Sequence, residues 1–411
     1  MDSKALNLAS QENTWIQNLF LLAITLIFFP ILPGLSETQP ILLLGLGGLC
    51  LLSGRLSLNT YTVIFFYFFA LFITALFISN FNNEYLSELS KLLLVLLLVV
   101  LAYPWIGYGS RGFYKFFIAI HLSIAILATM GWTSWLSSYF GRYTTLEGGR
   151  GISYLASEPS YAATYIFYIA LVYTLGLNKG VFSSRLTQAI LLLLLLSTYS
   201  LMGFLFFILV LAIDISLGRV YKKIMMGILT LLGGALFIIT VERVTTELIP
   251  LMTALISNDE DILKLALNYP SASTRFILNG VAMLDGLERI LSFPGQPFHV
   301  ALPEILAKFG LSPILERHEV IGTLYKAGVE LKPQALFPYV VYMFGLLAFP
   351  LLLQPTRVTL GVLAARKYLF FMACLALMFI FFFYQSQYVN PVQFFTFIII
   401  HKFFSHTEGT R

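Results

Sequence analysis

Apolar residues run unbroken along much of this chain, as at 92–101 and 190–196, without the alternation that marks the strands of a membrane barrel. Such runs read as helices surrounded by lipid, because a helix crosses the hydrocarbon core with about 20 apolar residues. The pattern predicts spans near 15–33, 38–53, 59–79, 89–108, 112–130 and 159–177, one long run at 187–217, and further spans near 224–240, 337–353, 368–384 and 391–404. The long run holds 31 residues, too many for one upright helix, and its middle reads Ser197-Thr198-Tyr199-Ser200 with Gly203 just after. Lys179 and Arg185 precede it; Arg219, Lys222 and Lys223 follow it. Cytoplasmic loops collect Lys and Arg, so both flanks are expected on one side of the membrane. The run then crosses twice, as two short helices with a polar turn at the outer face. The expected fold is an all-α polytopic membrane protein of about twelve transmembrane helices, with both termini inside.

Composition agrees. Apolar types make up 58% of the chain and charged types 11%, against about 25% charged in soluble domains. That is too little charge to cover a water-facing surface of this size, and too much apolar surface for disorder. With the charges placed on this topology, 14 of the 25 basic residues fall in inner segments. Lys91, Arg142 and Arg150 fall in short outer loops, and the other eight fall in one long outer segment, 241–336, where the charge rule does not apply. The chain therefore reads as a single integral membrane domain, 1–411, with 241–336 as a large outer loop. Within that loop Phe276, Ile277, Val281, Leu284, Leu287 and Leu291 form a helical stripe, with Arg275, Asn279 and Arg289 on another face. Ser273 or Thr274 is the expected cap and Pro294-Gly295-Gln296-Pro297 the expected end. The loop is expected to form amphipathic helices lying on the outer membrane surface. The first run lacks a cleavage site of signal-peptide type and reads as a retained span. Cys50 and Cys374 lie in apolar runs and read as small buried residues.

Ionisable residues inside spans are the usual functional pointers. Here they reduce to His121, mid-span, and Asp214, near an inner end where Arg219 is a partner. An ion-coupled transporter needs more. Polar residues gather instead at the outer face, in Arg142, Glu147, Arg150, Ser157, Glu158, Ser160 and Tyr161. Pro159 suits a first helical turn, which sets Glu158 at the positive end of the helix dipole. Glu158 is then either a cap paired with Arg150 or an ionised base and sugar-hydroxyl acceptor. A second cluster comprises Arg275, Asn279, His299, Glu304, His318 and Lys332. Arg150 and Arg275 together suit a diphosphate. His299 follows the Pro-Gly-Gln-Pro turn, and His318 reads as part of a solvated charged helix. Asp259-Glu260-Asp261 reads as an exposed turn. No metal site, cofactor or nucleic-acid partner is expected.

These features resemble the Wzy-type polysaccharide polymerases and the related O-antigen ligases. Arg150-Gly151-Ile152-Ser153-Tyr154-Leu155-Ala156-Ser157-Glu158-Pro159-Ser160 is similar to the family's lead-in to the sixth span. Ser197-Thr198-Tyr199-Ser200-Leu201-Met202-Gly203 resembles its polar break between two short spans. Ser273-Thr274-Arg275 resembles its loop arginine, and Lys332-Pro333-Gln334 with Tyr342-Met343-Phe344-Gly345-Leu346 its return into the membrane. The resemblance implies a GT-C-like glycosyltransferase of the bacterial cytoplasmic (inner) membrane, with its site facing the periplasm. It would polymerise undecaprenyl-diphosphate-linked oligosaccharide repeat units, with a chain-length-regulating membrane protein as a candidate partner. Ligases often carry a His-Asn pair where this chain has Lys332-Pro333-Gln334, which favours polymerase over transfer to lipid A–core. A flippase is the other alternative. The chemistry asks for cations at the leaving group, here Arg150 and Arg275. It also asks for a base at the acceptor hydroxyl, here Glu158 first and His299 second. Arg142, Ser160, Tyr161, Asn279 and Lys332 are the expected substrate-binding residues.

Overall fold

The computed structural model describes residues 3–29, 59–77, 83–131, 151–156, 158–218, 270–289, 296–384 and 390–408, with isolated positions at 45, 47, 48, 267 and 294. The expected spans at 38–53 and 224–240 fall almost wholly outside these. Among the described residues every regular element is helical. The helices are α1 (Ser3–Thr25), α2 (Thr60–Phe77), α3 (Asn83–Ala102), α4 (Arg111–Thr129), α5 (Pro159–Asn178), α6 (Arg185–Leu196) and α7 (Leu201–Leu217). After them come α8 (Pro270–Glu288), α9 (Phe298–Lys308), α10 (Pro313–Arg317), α11 (Glu319–Lys326), α12 (Leu336–Phe344), α13 (Leu353–Ala364), α14 (Tyr368–Phe379) and α15 (Val392–Glu408). Among the described residues five stretches are long and apolar enough to cross a membrane: Thr60–Phe77, Leu86–Trp105, Arg111–Thr129, Pro159–Asn178 and Leu336–Ala364.

The long apolar run divides where its polar centre predicts. α6 stops at Leu196 and α7 starts at Leu201. Ser200 caps α7, its Oγ accepting the Gly203 N–H at 2.9 Å, and Tyr199 turns the chain at φ +41°. Gly203 is required beneath this turn, since a Cβ there would lie 2.2 Å from Thr198 Oγ1. Two expected boundaries move. The first span at 15–33 becomes a helix that begins at Ser3. The span at 337–353 becomes a broken helix that runs on to Ala364, through a 3-10 segment at Gly345–Leu352. Gly345, at φ +58°, and Pro350 interrupt the ladder there without reversing the chain.

α5 is the centre of the bundle. It is buried on every face from Tyr161 to Gly176 and is packed by α1, α6, α7 and α15, as a helix apolar all round should be. Ring contacts give the directions. Phe382 meets Phe394 and Phe370 meets Phe404, so α14 and α15 are antiparallel. Lys179 lies over Phe403 and Tyr168 faces Phe395, so α15 runs parallel to α5. The starts of α5 and α15 and the end of α14 therefore share one end, called upper below. The lower end holds a different polar set. Arg185 Nη1 lies 3.0 and 2.8 Å from the two oxygens of Asp214, and Asn178 Nδ2 donates to Asp214 at 2.7 Å. The expected partner Arg219 lies outside the described residues; Arg185 fills the role. At the same end Lys402 Nζ donates to the carbonyls of Tyr103 and Ile106 at 2.6 and 2.8 Å.

The loop helix also departs from expectation. α8 begins at Pro270, five residues before Arg275, so Ser273 and Thr274 are buried within its first turns and do not cap it. It packs along α12 closely enough that a Cβ on Gly286 would lie 2.3 Å from the Val341 carbonyl oxygen. Leu278, Val281 and Ala282 are buried on that side, while Phe276 and Leu284 are exposed. The helix docks on the bundle along one face.

Candidate functional site

At the upper end α5 starts at Pro159, with Glu158 as the N-cap residue in extended conformation. Among the described residues the Glu158 side chain makes no capping hydrogen bond. Ser160 Oγ stands 3.5 Å from Glu158 Oε2. Tyr161 points inward and is buried, stacked on Phe28 with ring centroids 5.5 Å apart.

The stretch 151–156 holds Glu158 in place by docking on the turn between α6 and α7. Ile152 N–H donates to the Ser197 carbonyl at 3.2 Å, and the Tyr154 hydroxyl pairs closely with Ser197 Oγ. Gly151 lies flat on the turn: a Cβ there would be 2.1 Å from the Thr198 carbonyl oxygen. Tyr154 adopts φ +51°, a left-handed conformation that costs a side-chain-bearing residue about 1–2 kcal/mol and persists because the docking over-determines it. Burial pushes the Tyr154 phenol up to about 12, against the opposing Ser197 hydrogen bond, so it stays protonated at neutral pH.

His121 supports this unit from below. Its Nδ1 faces the Phe117 carbonyl at 2.8 Å, and a carbonyl only accepts, so Nδ1 carries the proton. Nε2, 2.9 Å from the Tyr165 hydroxyl, therefore accepts from it. The Tyr165 oxygen in turn accepts the Leu155 N–H at 3.3 Å. The mid-span histidine thus belongs to a directed chain of hydrogen bonds that ends on the backbone before Glu158.

The second expected cluster is partly gathered at the same end. Arg275 is half-buried on α8, its guanidinium 5.3 Å from the Tyr384 ring centroid at the top of α14. Asn279 is bound to backbone throughout: Nδ2 donates to the Phe383 carbonyl at 3.1 Å, and Oδ1 accepts from Gln334 and Ala335 at 2.8 and 3.1 Å. Its role is to join α8, α12 and α14. Lys332 Nζ lies 3.5 Å from Glu88 Oε1 and 3.3 Å from Glu330 Oε2. Glu88 was not singled out by the sequence, because it sits just outside the apolar run that follows it. It is only 4% exposed, bonds Lys91 at 3.0 Å, and among the described residues its Oε2 has no hydrogen-bond partner. The cue in the sequence was its spacing to Lys91, one helical turn on.

His299 starts α9, whose neighbouring Phe298 meets Tyr342 edge-on at 5.1 Å; it sits half-buried on this separate element. His318 is a correction. It is 1% exposed: its Nδ1 caps α11 by accepting the Ile321 N–H at 3.1 Å, and its Nε2 meets Ser273 Oγ at 3.0 Å. Burial lowers its pKa, with Glu319 opposing. Arg289 is likewise fixed, pairing with Asp285 and lying 4.6 Å from the Tyr342 ring centroid. Arg142, Glu147, Arg150, Ser157, Asp259 and Asp261 lie outside the described residues. Among the described residues no group of three or more His, Cys, Asp or Glu side chains is placed to hold a metal ion.

Comparisons of the chain with family models, curated proteins and solved structures return no match. The functional reading therefore stands on the residues themselves.

Proposed function

We propose that this chain is a membrane glycosyltransferase that joins glycans carried on a polyprenyl diphosphate, a polymerase of lipid-linked repeat units working at the upper end of the bundle. The observation that carries the reading is the docking of 151–156 on the 197–200 turn. Two stretches some forty residues apart, each singled out in sequence, form one hydrogen-bonded unit that leads directly to Glu158 at the start of α5. In the reaction the acceptor hydroxyl oxygen forms a bond to the anomeric carbon of the donor. The anomeric C–O bond to the diphosphate breaks and its electron pair leaves on the diphosphate. Glu158 takes the hydroxyl proton, with His299 as the second candidate. Arg275, joined by Arg150, takes the charge that develops on the diphosphate. The bundle is proposed to complete twelve spans in a bacterial inner membrane, with the upper end facing the periplasm.

The test is chain growth and release of free undecaprenyl diphosphate by the purified chain in liposomes, given extracted lipid-linked oligosaccharide and no nucleotide sugar. Glu158→Gln is expected to lower turnover about 10²–10⁴-fold, the range of general base catalysis. Arg275→Lys is expected to lower it about 10²–10³-fold, as when one preorganised donor is removed. Arg317→Lys, exposed on α10, is the control and leaves the rate unchanged. Wild-type protein that neither lengthens the glycan nor releases the diphosphate overturns the reading.

A further inference from the structure

Two carboxamides at the start of α15 carry hydrogen-bonding groups that no atom of the described residues meets. Asn390 and Gln393 are both 0% exposed. Asn390 Oδ1 accepts the Val392 N–H at 3.0 Å. That bond identifies the oxygen, and among the described residues the amide nitrogen opposite it has no acceptor. Among the described residues Gln393 has no partner at either Nε2 or Oε1. Exchanging the oxygen and nitrogen of Gln393 leaves the same inventory, so the conclusion does not depend on its assignment. Buried polar groups in folded proteins are nearly always paired. Two buried side chains three positions apart in the chain, with orphaned donors and an orphaned acceptor, therefore call for a function.

Their chemistry restricts what they meet. A metal ion would face amide N–H groups. A phosphate would face the lone pairs of a carbonyl. A hydroxyl is both donor and acceptor and satisfies every orphaned group. Their place restricts it further. Asn390 stands just before α15 and Gln393 in its first turn, on a helix that packs against α5, and Phe395 close by faces Tyr168 of α5 with ring centroids 6.5 Å apart. The Phe395–Tyr168 contact sets Gln393 about 12 Å below Glu158, on the side of the bundle that leads up to Glu158 and Arg275.

We propose that Asn390 and Gln393 form a subsite for the hydroxyls of a neutral sugar residue, which orients the acceptor glycan. The inference rests on the glycosyl-transfer reading and extends it to a part of the chain that the reading does not use. Both residues act by binding and neither touches the transferred proton.

The test sets stability against binding. Gln393→Met keeps the length of the side chain and removes both orphaned groups. A residue kept for a ligand should be replaceable in this way with a gain in folded-state stability. The expected result for Gln393→Met is a higher Tm, a smaller thermal shift on adding extracted lipid-diphosphate-linked oligosaccharide, and a KM raised about tenfold or more with kcat within about twofold. Asn390→Asp keeps the acceptor for Val392 and removes the orphaned donor; it should raise KM in the same way without the gain in Tm. A lower Tm for Gln393→Met, failure to fold included, marks a structural amide and overturns the subsite, as does an unchanged KM in both variants. If wild-type protein lengthens the glycan and the variants match it, the subsite alone falls. If wild-type protein neither lengthens the glycan nor is stabilised by it, the glycosyl-transfer reading falls and the subsite falls with it.

Discussion

His318 shows how one buried side chain joins separate segments. Its neutral ring accepts the Ile321 N–H at Nδ1 and, with the proton then on Nε2, donates to Ser273 Oγ. Protonation of Nδ1 would abolish the cap on α11. Burial holds the folded pKa below the unfolded value of about 6.5. The unfolded chain therefore takes up the proton first as pH falls. The stabilisation is complete above about pH 6.5 and is lost as pH drops through that value towards the lowered folded pKa. Thermal unfolding followed between pH 7.5 and 5 should show Tm falling for wild type, with a weaker slope for His318→Phe. That variant should also lose about 1 kcal/mol at neutral pH with the cap. An identical slope in both proteins would assign the pH dependence elsewhere. In sequence His318 sits among Glu316, Arg317 and Glu319, and the charged neighbours mask a ring that caps its own helix at Ile321 and reaches Ser273 on α8.

At the scale of elements, the lead-in 151–156 and the α6–α7 turn behave as one unit stapled by Tyr165. Tyr165→Phe removes the acceptor for the Leu155 N–H and the donor to His121, leaving two buried polar groups unmet. The expected cost is about 1–3 kcal/mol. Exchange of the Leu155 amide should then quicken about tenfold or more, 1.4 kcal/mol being a factor of ten. Unchanged exchange would show that the lead-in is held by the Ser197 contacts alone. Gly151→Ala attacks the same joint from the other side, since its Cβ would meet the Thr198 carbonyl oxygen at 2.1 Å. It should lower glycan elongation about tenfold or more while leaving Glu158 in place chemically, for a misplaced reacting group loses rate steeply. Wild-type elongation by Gly151→Ala would sever the unit from the proposed chemistry.

At the scale of the whole molecule, among the described residues, two charged clusters stand at opposite ends of an apolar bundle. The lower end holds Asp214, Arg185 and Asn178; the upper end holds Glu158, Arg275 and Lys332 with Glu88. The proposed topology sets these ends on opposite sides of the membrane. In a background lacking Cys50 and Cys374, Tyr199→Cys and Val181→Cys, at the two ends of α6, should react with impermeant thiol reagents from opposite faces. Reaction from one face would leave α6 as a helix that does not cross, and would invert every later span. Its 12 residues reach about 18 Å at 1.5 Å per residue, short of a core of about 30 Å. The polar turn at 197–200 and the flank at Ser184 must therefore both sit within reach of the interfaces or of surrounding protein.

The apolar pattern alone determined the helical class, the starts of α4, α5 and α14 to within a residue, and the division of the long run at 197–200. Each of these follows from local chemistry: lipid admits only self-satisfied backbone, Pro159 and Ser200 suit helix starts, and a polar stretch cannot remain mid-run. Glu158 at a helix start was legible for the same reason. Tertiary structure decided what those residues touch. It gave Asp214 its arginine, buried His318, bound Asn279 to the backbone of two other segments, and made His121 part of a hydrogen-bond chain. It also exposed Glu88, Asn390 and Gln393 as buried groups with unspent hydrogen-bonding capacity. None of this is periodic along the chain. A pairing between residues 45 or 104 positions apart, as for Ser273–His318 and Asn279–Phe383, costs nothing visible in local composition and exists only once the helices are packed.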